Sequence, residues 1–185
     1  MAKEMAKEEL LDKIEKDAAY YEHNWKGCAR SVMRALRENM DLGNEQTIVA
    51  SSILCGGLGG VGENCGALTG GLMGISLAMG DRGASADNLD DHEAFFRTLA
   101  AGHLFWLRFI KEFGSSFCRH IQTNCMGEVY NLADPDQYRK VSEAGIYNKA
   151  PEIVGKAARM AAEFILEQRE KDWEDAQKAS VYFPH

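Results

Sequence analysis

The sequence is poor in the residues that build β-sheets and irregular segments. It has only three prolines in 185 residues, and seven valines stand against 23 alanines. Because alanine favours helices and β-branched residues favour strands, this bias predicts a helical chain. A chain of this length can bury a core within one domain.

Basic residues are also in short supply. The sequence has 21 Lys and Arg against 28 Asp and Glu, which gives a formal net charge of −7. No basic stripe is available to neutralise phosphates, so the composition argues against a nucleic-acid partner.

Cysteine pairs at metal-ligand or redox spacing are absent. The five cysteines form no C-x-x-C, and their odd number argues against a closed disulfide framework. The first residues are charged and alternating, unlike a signal or transit peptide. We therefore expect a reducing, cytoplasmic setting, in which five cysteines need a specific reason.

Apolar residues recur at helical spacing along most of the chain, and no strand-like alternation is evident. The pattern predicts an all-α fold, a single-domain helical bundle in which a Gly-rich loop opens a central helix. Residues 1–22 form a charged N-terminal helix in this interpretation, 23–168 the domain and 169–185 a helical tail. Predicted helices cover 3–22, 27–40, 44–55, 63–79, 91–113, 115–122 and 124–132, followed by a turn at 134–136 and a last helix from Pro151.

Residues 46–80 carry a single charge, Glu63, and ten glycines. The glycines interrupt any continuous apolar run, which argues against a membrane span. Residues 57–62 match G-x-G-x-x-G, but a dinucleotide site needs a preceding strand and a βαβ unit, which this chain lacks. Packing is the best interpretation of the glycines. Gly62, Gly66, Gly70 and Gly74 recur every four residues, so one bare helix face would admit another backbone or a bulky inorganic group.

Four of the five cysteines fall at predicted helix N-termini, where unpaired N–H groups and the helix dipole stabilise a thiolate. Cys55 is the exception, because it is predicted to lie at a helix C-terminus, where a thiolate is disfavoured. The candidate ligands are therefore Cys28, Cys65, Cys118 and Cys125.

Thiolates gathered at helix N-termini suit an iron–sulfur cluster, whose sulfurs accept hydrogen bonds from N–H donors. Zinc accepts the same four thiolates. A thiol–disulfide pair and ordinary buried thiols are further alternatives. Cys118 and Cys125 would lie about 10 Å apart in one continuous helix, too far for a disulfide.

The cysteine segments resemble those of a known family of redox-active proteins, the C-GCAxxG-C-C family. Residues 62–73, GENCGALTGGLM, resemble its C-G-A-x-x-G motif. The first, third and closing regions of the family resemble Gly27-Cys28-Ala29, residues 114–119 and residues 154–158. The likeness spans about Tyr20 to Gln168.

This resemblance implies an all-helical fold, an iron–sulfur cluster and electron transfer. It does not imply haem, because the chain has no C-x-x-C-H attachment site. The family's last cysteine precedes the closing helix, and Ala150 stands there in this sequence. The fourth ligand is therefore open: it is Cys125, or Cys55, or none.

The sequence thus predicts a homodimeric redox protein in which Cys28, Cys65, Cys118 and provisionally Cys125 hold a cluster, with Gly62, Gly66 and Gly70 making room for it. It would transfer single electrons to a partner protein or a small molecule, as an electron carrier or an oxidoreductase. The alternatives are a cysteine thiol enzyme or sensor, and a zinc-stabilised or metal-free interaction module. No hydrolytic constellation of residues is evident.

Overall fold

The computed structural model describes residues 2–80, 87, 89–145 and 148–170, and within these it confirms the all-α single-domain bundle. Most of the predicted tail, 171–185, lies outside the described residues. The helices are α1 (Ala2–Trp25), α2 (Cys28–Met40), α3 (Glu45–Ser51), a 3-10 turn (Ser52–Leu54), α4 (Cys55–Leu58), α5 (Gly66–Gly80), α6 (His92–Phe113), α7 (Cys118–Met126), α8 (Pro135–Glu143) and α9 (Ala150–Glu170).

The core lies among α1, α2, α5 and α9, with α6 packed on α5. The helices α1, α2 and α9 bury an apolar stripe at helical spacing, whereas α5 is covered on most of its surface. Contact between α5 and α2 depends on glycine: a Cβ on Gly70 would lie 2.7 Å from the Ala29 carbonyl oxygen. The close backbone approach that the glycine spacing predicts is therefore present. The largest fully buried side chains include Leu11, Ile14, Met33, Leu36, Phe105, Phe109 and Phe164.

Several predicted boundaries were wrong. α5 begins at Gly66, so Gly62 lies in the preceding loop with φ 83°. The two short helices predicted over 115–122 and 124–132 are one helix, α7, which places Cys125 in its last turn instead of at an N-terminus. The predicted turn at 134–136 begins α8. Asp134 caps this helix by accepting hydrogen bonds from the Asp136 and Gln137 N–H groups.

No helix among the described residues is long and apolar enough to cross a membrane.

Candidate thiol site

Four cysteines from separate parts of the chain line one cavity of about 360 Å³. They come from the starts of α2, α4 and α7 and from the residue before α5. The rest of the wall is mostly apolar, with a few polar side chains. The thiols are Cys28, Cys55, Cys65 and Cys118, the polar side chains include Glu22, Lys26, Arg30 and Gln122, and the apolar ones include Ile121, Leu132, Ile153 and Val154.

Backbone hydrogen bonds join the segments that carry Cys65 and Cys118. The Cys65 N–H donates to the Ser116 carbonyl at 2.8 Å, and the Cys118 N–H donates to the Glu63 carbonyl at 2.6 Å. These bonds surround an isolated antiparallel bridge between Asn64 and Phe117. The two cysteines are therefore held in register by the main chain, whatever side chains surround them.

The turn of α4 lies against this bridge. Gly57 has φ 76°, and a Cβ there would come within 2.5 Å of the Glu63 N and 2.8 Å of the Cys118 Cβ. Only glycine combines this conformation with this approach. The loop motif that resembled a dinucleotide fingerprint thus lets the α4 turn pack against the start of α7.

Cys28 begins α2 after two residues with positive φ, Lys26 and Gly27. Its thiol donates a hydrogen bond to the Cys55 sulfur. Space for the Cys28 sulfur exists because Gly66 has no side chain: a Cβ there would lie 2.2 Å from Cys28 Sγ. Gly66 thus affects the site indirectly, by leaving room for the sulfur of Cys28.

The expectation that Cys55 disfavours a thiolate was wrong. The hydrogen bond from Cys28, together with the N–H groups of Arg30 and Ala29, lowers the pKa of Cys55 to about 6. Cys55 does follow the α3 segment, but its sulfur lies at the N-terminus of α2, where N–H groups point outward. The same hydrogen bond, with burial, raises the pKa of Cys28 well above its ordinary value.

Burial disfavours the thiolate at the other two cysteines. Burial raises the pKa of Cys65 to about 12. Burial also raises the pKa of Cys118, although a hydrogen bond from Gln122 opposes it. A ligand that binds these sulfurs as thiolates must therefore displace their protons.

Sequence reasoning missed Glu22, a buried carboxyl in the cavity wall. Burial, and then the negative charge of Cys55, raise the pKa of Glu22 to about 7, against an ordinary value of 4.5. The signal was present, because Glu22 continues the buried stripe of Leu11, Ile14 and Ala18 at helical spacing. An acid on an apolar stripe is a candidate for a functional site.

Of the two positions considered for a fourth ligand outside α4, Ala150 lies in the cavity wall and Cys125 does not. Ala150, which stands where the resemblance puts the last cysteine, lines the cavity, whereas Cys125 is not among its lining residues. Gly62, Gly66 and Gly70 are not lining residues either. A Cβ on each would meet Arg119, Cys28 and Ala29, respectively.

The chain is thus an all-α bundle with one cavity lined by four thiols. The family described as "Putative redox-active protein (C_GCAxxG_C_C)" matches residues 27–164, and the chain belongs to this family. Comparison with curated proteins and with solved structures finds no match.

Proposed function

We propose that the four-thiol cavity is a redox site in which Cys28, Cys55, Cys65 and Cys118 hold an iron–sulfur cluster. The observation that carries this proposal is the convergence of four cysteines from four chain segments on one cavity. Such a cluster supplies reversible one-electron chemistry when bound. The protein's own contribution is to hold four sulfurs, supply N–H donors and surround them with an apolar wall.

The arrangement of the sulfurs favours a cluster over a single zinc ion. Among the described residues, no three His, Cys, Asp or Glu side chains lie close enough together to bind the same metal ion. Zinc requires all its thiolates about 2.3 Å from one centre. A cluster contains several iron atoms, so its cysteines surround a larger group. Thiols spread around a cavity wall fit the second requirement.

Cys55 is the fourth ligand in this proposal, in place of the Cys125 that the sequence favoured. Cys55 has the lowest pKa of the four thiols, so it offers a thiolate at neutral pH. Ala150 lies on the same wall and has no ligand atom in its side chain. In this proposal Cys55, at the start of α4, supplies the fourth thiolate that Ala150, at the start of α9, cannot supply.

Anaerobic reconstitution with iron and sulfide tests the proposal. We expect a coloured protein with bound iron and sulfide, and an absorbance band that bleaches on reduction. Cys55→Ser should lose most of the iron. Cys125→Ser is the matched control and should keep it. A colourless, iron-free wild-type protein would overturn the cluster, and iron loss in the Cys125 variant alone would overturn the ligand set.

A cluster-free thiol reaction is the second candidate, favoured by the hydrogen bond between Cys28 and Cys55. The Cys55 thiolate would attack a disulfide substrate and release one of its thiols. Cys28, after losing its proton, would then displace the second, leaving a Cys28–Cys55 disulfide. Peptide mapping of cluster-free protein treated with a small disulfide checks this. The reaction predicts a Cys28–Cys55 cross-link, and a Cys65–Cys118 cross-link in its place would contradict it.

We also propose that the protein is a homodimer through the outward face of α6. Phe96, Leu99 and Leu107 are exposed on this face, and residues 98–107 contain no charged side chain. Glu93 and Lys111 lie on one flank at opposite ends, so an antiparallel pairing with a second copy places opposite charges together. Leu99→Glu should halve the mass in solution, whereas Val49→Glu, on another exposed apolar side chain, should not.

A further inference from the structure

Gln122 is a buried amide one helical turn after Cys118. It is only 4% exposed, and it lines the thiol cavity from α7. Its Nε2 donates a hydrogen bond to Cys118 Sγ at 3.3 Å. A buried polar side chain costs stability unless both of its groups are satisfied, so the position calls for a specific reason.

The opposite end of the amide is fixed by the main chain. The Tyr130 N–H donates to Gln122 Oε1 at 2.9 Å. Because that oxygen must accept, the amide cannot flip, and its NH₂ group must point at the sulfur. The orientation of the donor is thus determined by the segment after α7 and not by the cysteine.

An N–H donor aimed at a sulfur stabilises negative charge on it. In a cavity with an apolar wall this effect is stronger than in water. Donors to the sulfurs are also among the features that set the potential of a thiolate-bound redox group. Cys118 has such a donor from a side chain that is itself held in place.

We propose that Gln122 is a positioning residue of the redox site, which orients the Cys118 sulfur and stabilises its negatively charged state. This inference rests on the proposed function only in taking Cys118 as a redox thiol. It assigns Gln122 no contact with a substrate.

The experiment compares the midpoint potential of reconstituted wild type, Gln122→Met and Gln122→Glu. Loss of the donor destabilises the more negative, reduced state, so the potential of Gln122→Met should shift downward. Gln122→Glu retains an acceptor for the Tyr130 N–H. Its carboxylate cannot donate, whereas its acid form can, so its potential should fall as pH rises, more steeply than in wild type.

Gln137→Met is the matched control, because it also removes a side-chain hydrogen bond to the loop after α7. Gln137 Oε1 accepts a hydrogen bond from the Asn131 N–H at 2.9 Å, and Gln137 is not among the cavity-lining residues. This variant should lose stability without a shift in potential. Equal shifts in the Gln137 and Gln122 variants would show a structural effect and overturn the inference, as would an unshifted Gln122→Met.

Iron-free protein provides a second readout that separates this inference from the cluster. The alkylation rate of Cys118 at a fixed alkaline pH should fall several-fold in Gln122→Met and stay unchanged in Gln137→Met. If wild type binds no iron, the cluster proposal fails while this comparison still tests Gln122. An unchanged Cys118 rate in Gln122→Met would overturn the assignment.

Discussion

The two sides of the thiol cavity are built differently. Cys65 and Cys118 are buried and joined by main-chain hydrogen bonds, and burial raises the pKa of both. Cys28 and Cys55 are half-buried and contact each other, and Cys55 has a pKa of about 6. One side therefore holds its sulfurs in place, and the other supplies a reactive thiolate.

Selective alkylation should show the largest contrast between the two sides. At pH 7 a thiol with a pKa of about 6 is about 90% ionised, against about one part in 10⁵ for a pKa of about 12. The greater intrinsic reactivity of the less acidic thiolate offsets part of this difference. Cys55 should still react about 100-fold faster than Cys65 in iron-free protein, as peptide mass spectrometry would measure. Comparable rates would contradict the contrast.

Gly70→Ala tests how closely α5 must approach the helix that carries Cys28. The new Cβ would meet the Ala29 carbonyl oxygen at 2.7 Å and its Cα at 3.0 Å, and this backbone cannot yield without moving α2. We expect a loss of about 3 kcal/mol in the free energy of unfolding, by denaturant titration.

Gly102→Ala is the control, because its nearest neighbour, Leu72 Cδ2, lies at an ordinary 3.4 Å. That substitution should stabilise α6 by up to about 1 kcal/mol. Equal effects of the two alanines would contradict the close approach.

Glu22→Gln sharpens the comparison on the Cys55 side. The folded-state pKa of Glu22 is about 7 and its ordinary value is 4.5, so folding favours the protonated acid. Its contribution is fully present below pH 4.5 and is lost as pH rises through 7. Above pH 8, iron-free wild type should be about 3 kcal/mol less stable than Glu22→Gln, relative to their difference at pH 4. Parallel pH profiles would contradict the assignment.

Arg119→Met should have the smallest effect. Arg119 forms a 2.6 Å ion pair with Glu63 beside the Cys65 bridge, but both side chains are about 40% exposed. An exposed pair contributes about 0.2–1 kcal/mol. If backbone bonds hold this side, the variant should lose less than about 1 kcal/mol and keep its iron. Loss of bound iron would show that side-chain contacts, and not backbone hydrogen bonds, hold Cys65 and Cys118 in place.

The fold was largely predictable because helical spacing, glycines and caps are local signals. The bounds of α2 and α6 were predicted to within about one residue. Proline is compatible with both a turn and the first helical position, so the sequence around Pro135 predicts a turn where α8 begins.

Three of the four cavity thiols were predictable from the same signals. Cys28, Cys65 and Cys118 were selected as residues of helix N-termini, and all three line the cavity. The sequence ranks Cys55 below Cys125 as the fourth ligand, because the helix N-terminus that lowers the pKa of Cys55 belongs to another segment. Such a tertiary contact leaves no trace in spacing along the chain.

The most direct test of a single four-thiol site is a rescue experiment at Ala150. Bound iron should be measured in reconstituted wild type, Cys55→Ser and the double variant Cys55→Ser/Ala150→Cys. Because both positions line the same cavity, we expect the iron lost from the single variant to return in the double variant. Full iron retention in Cys55→Ser would contradict it, and so would a double variant as empty as the single one.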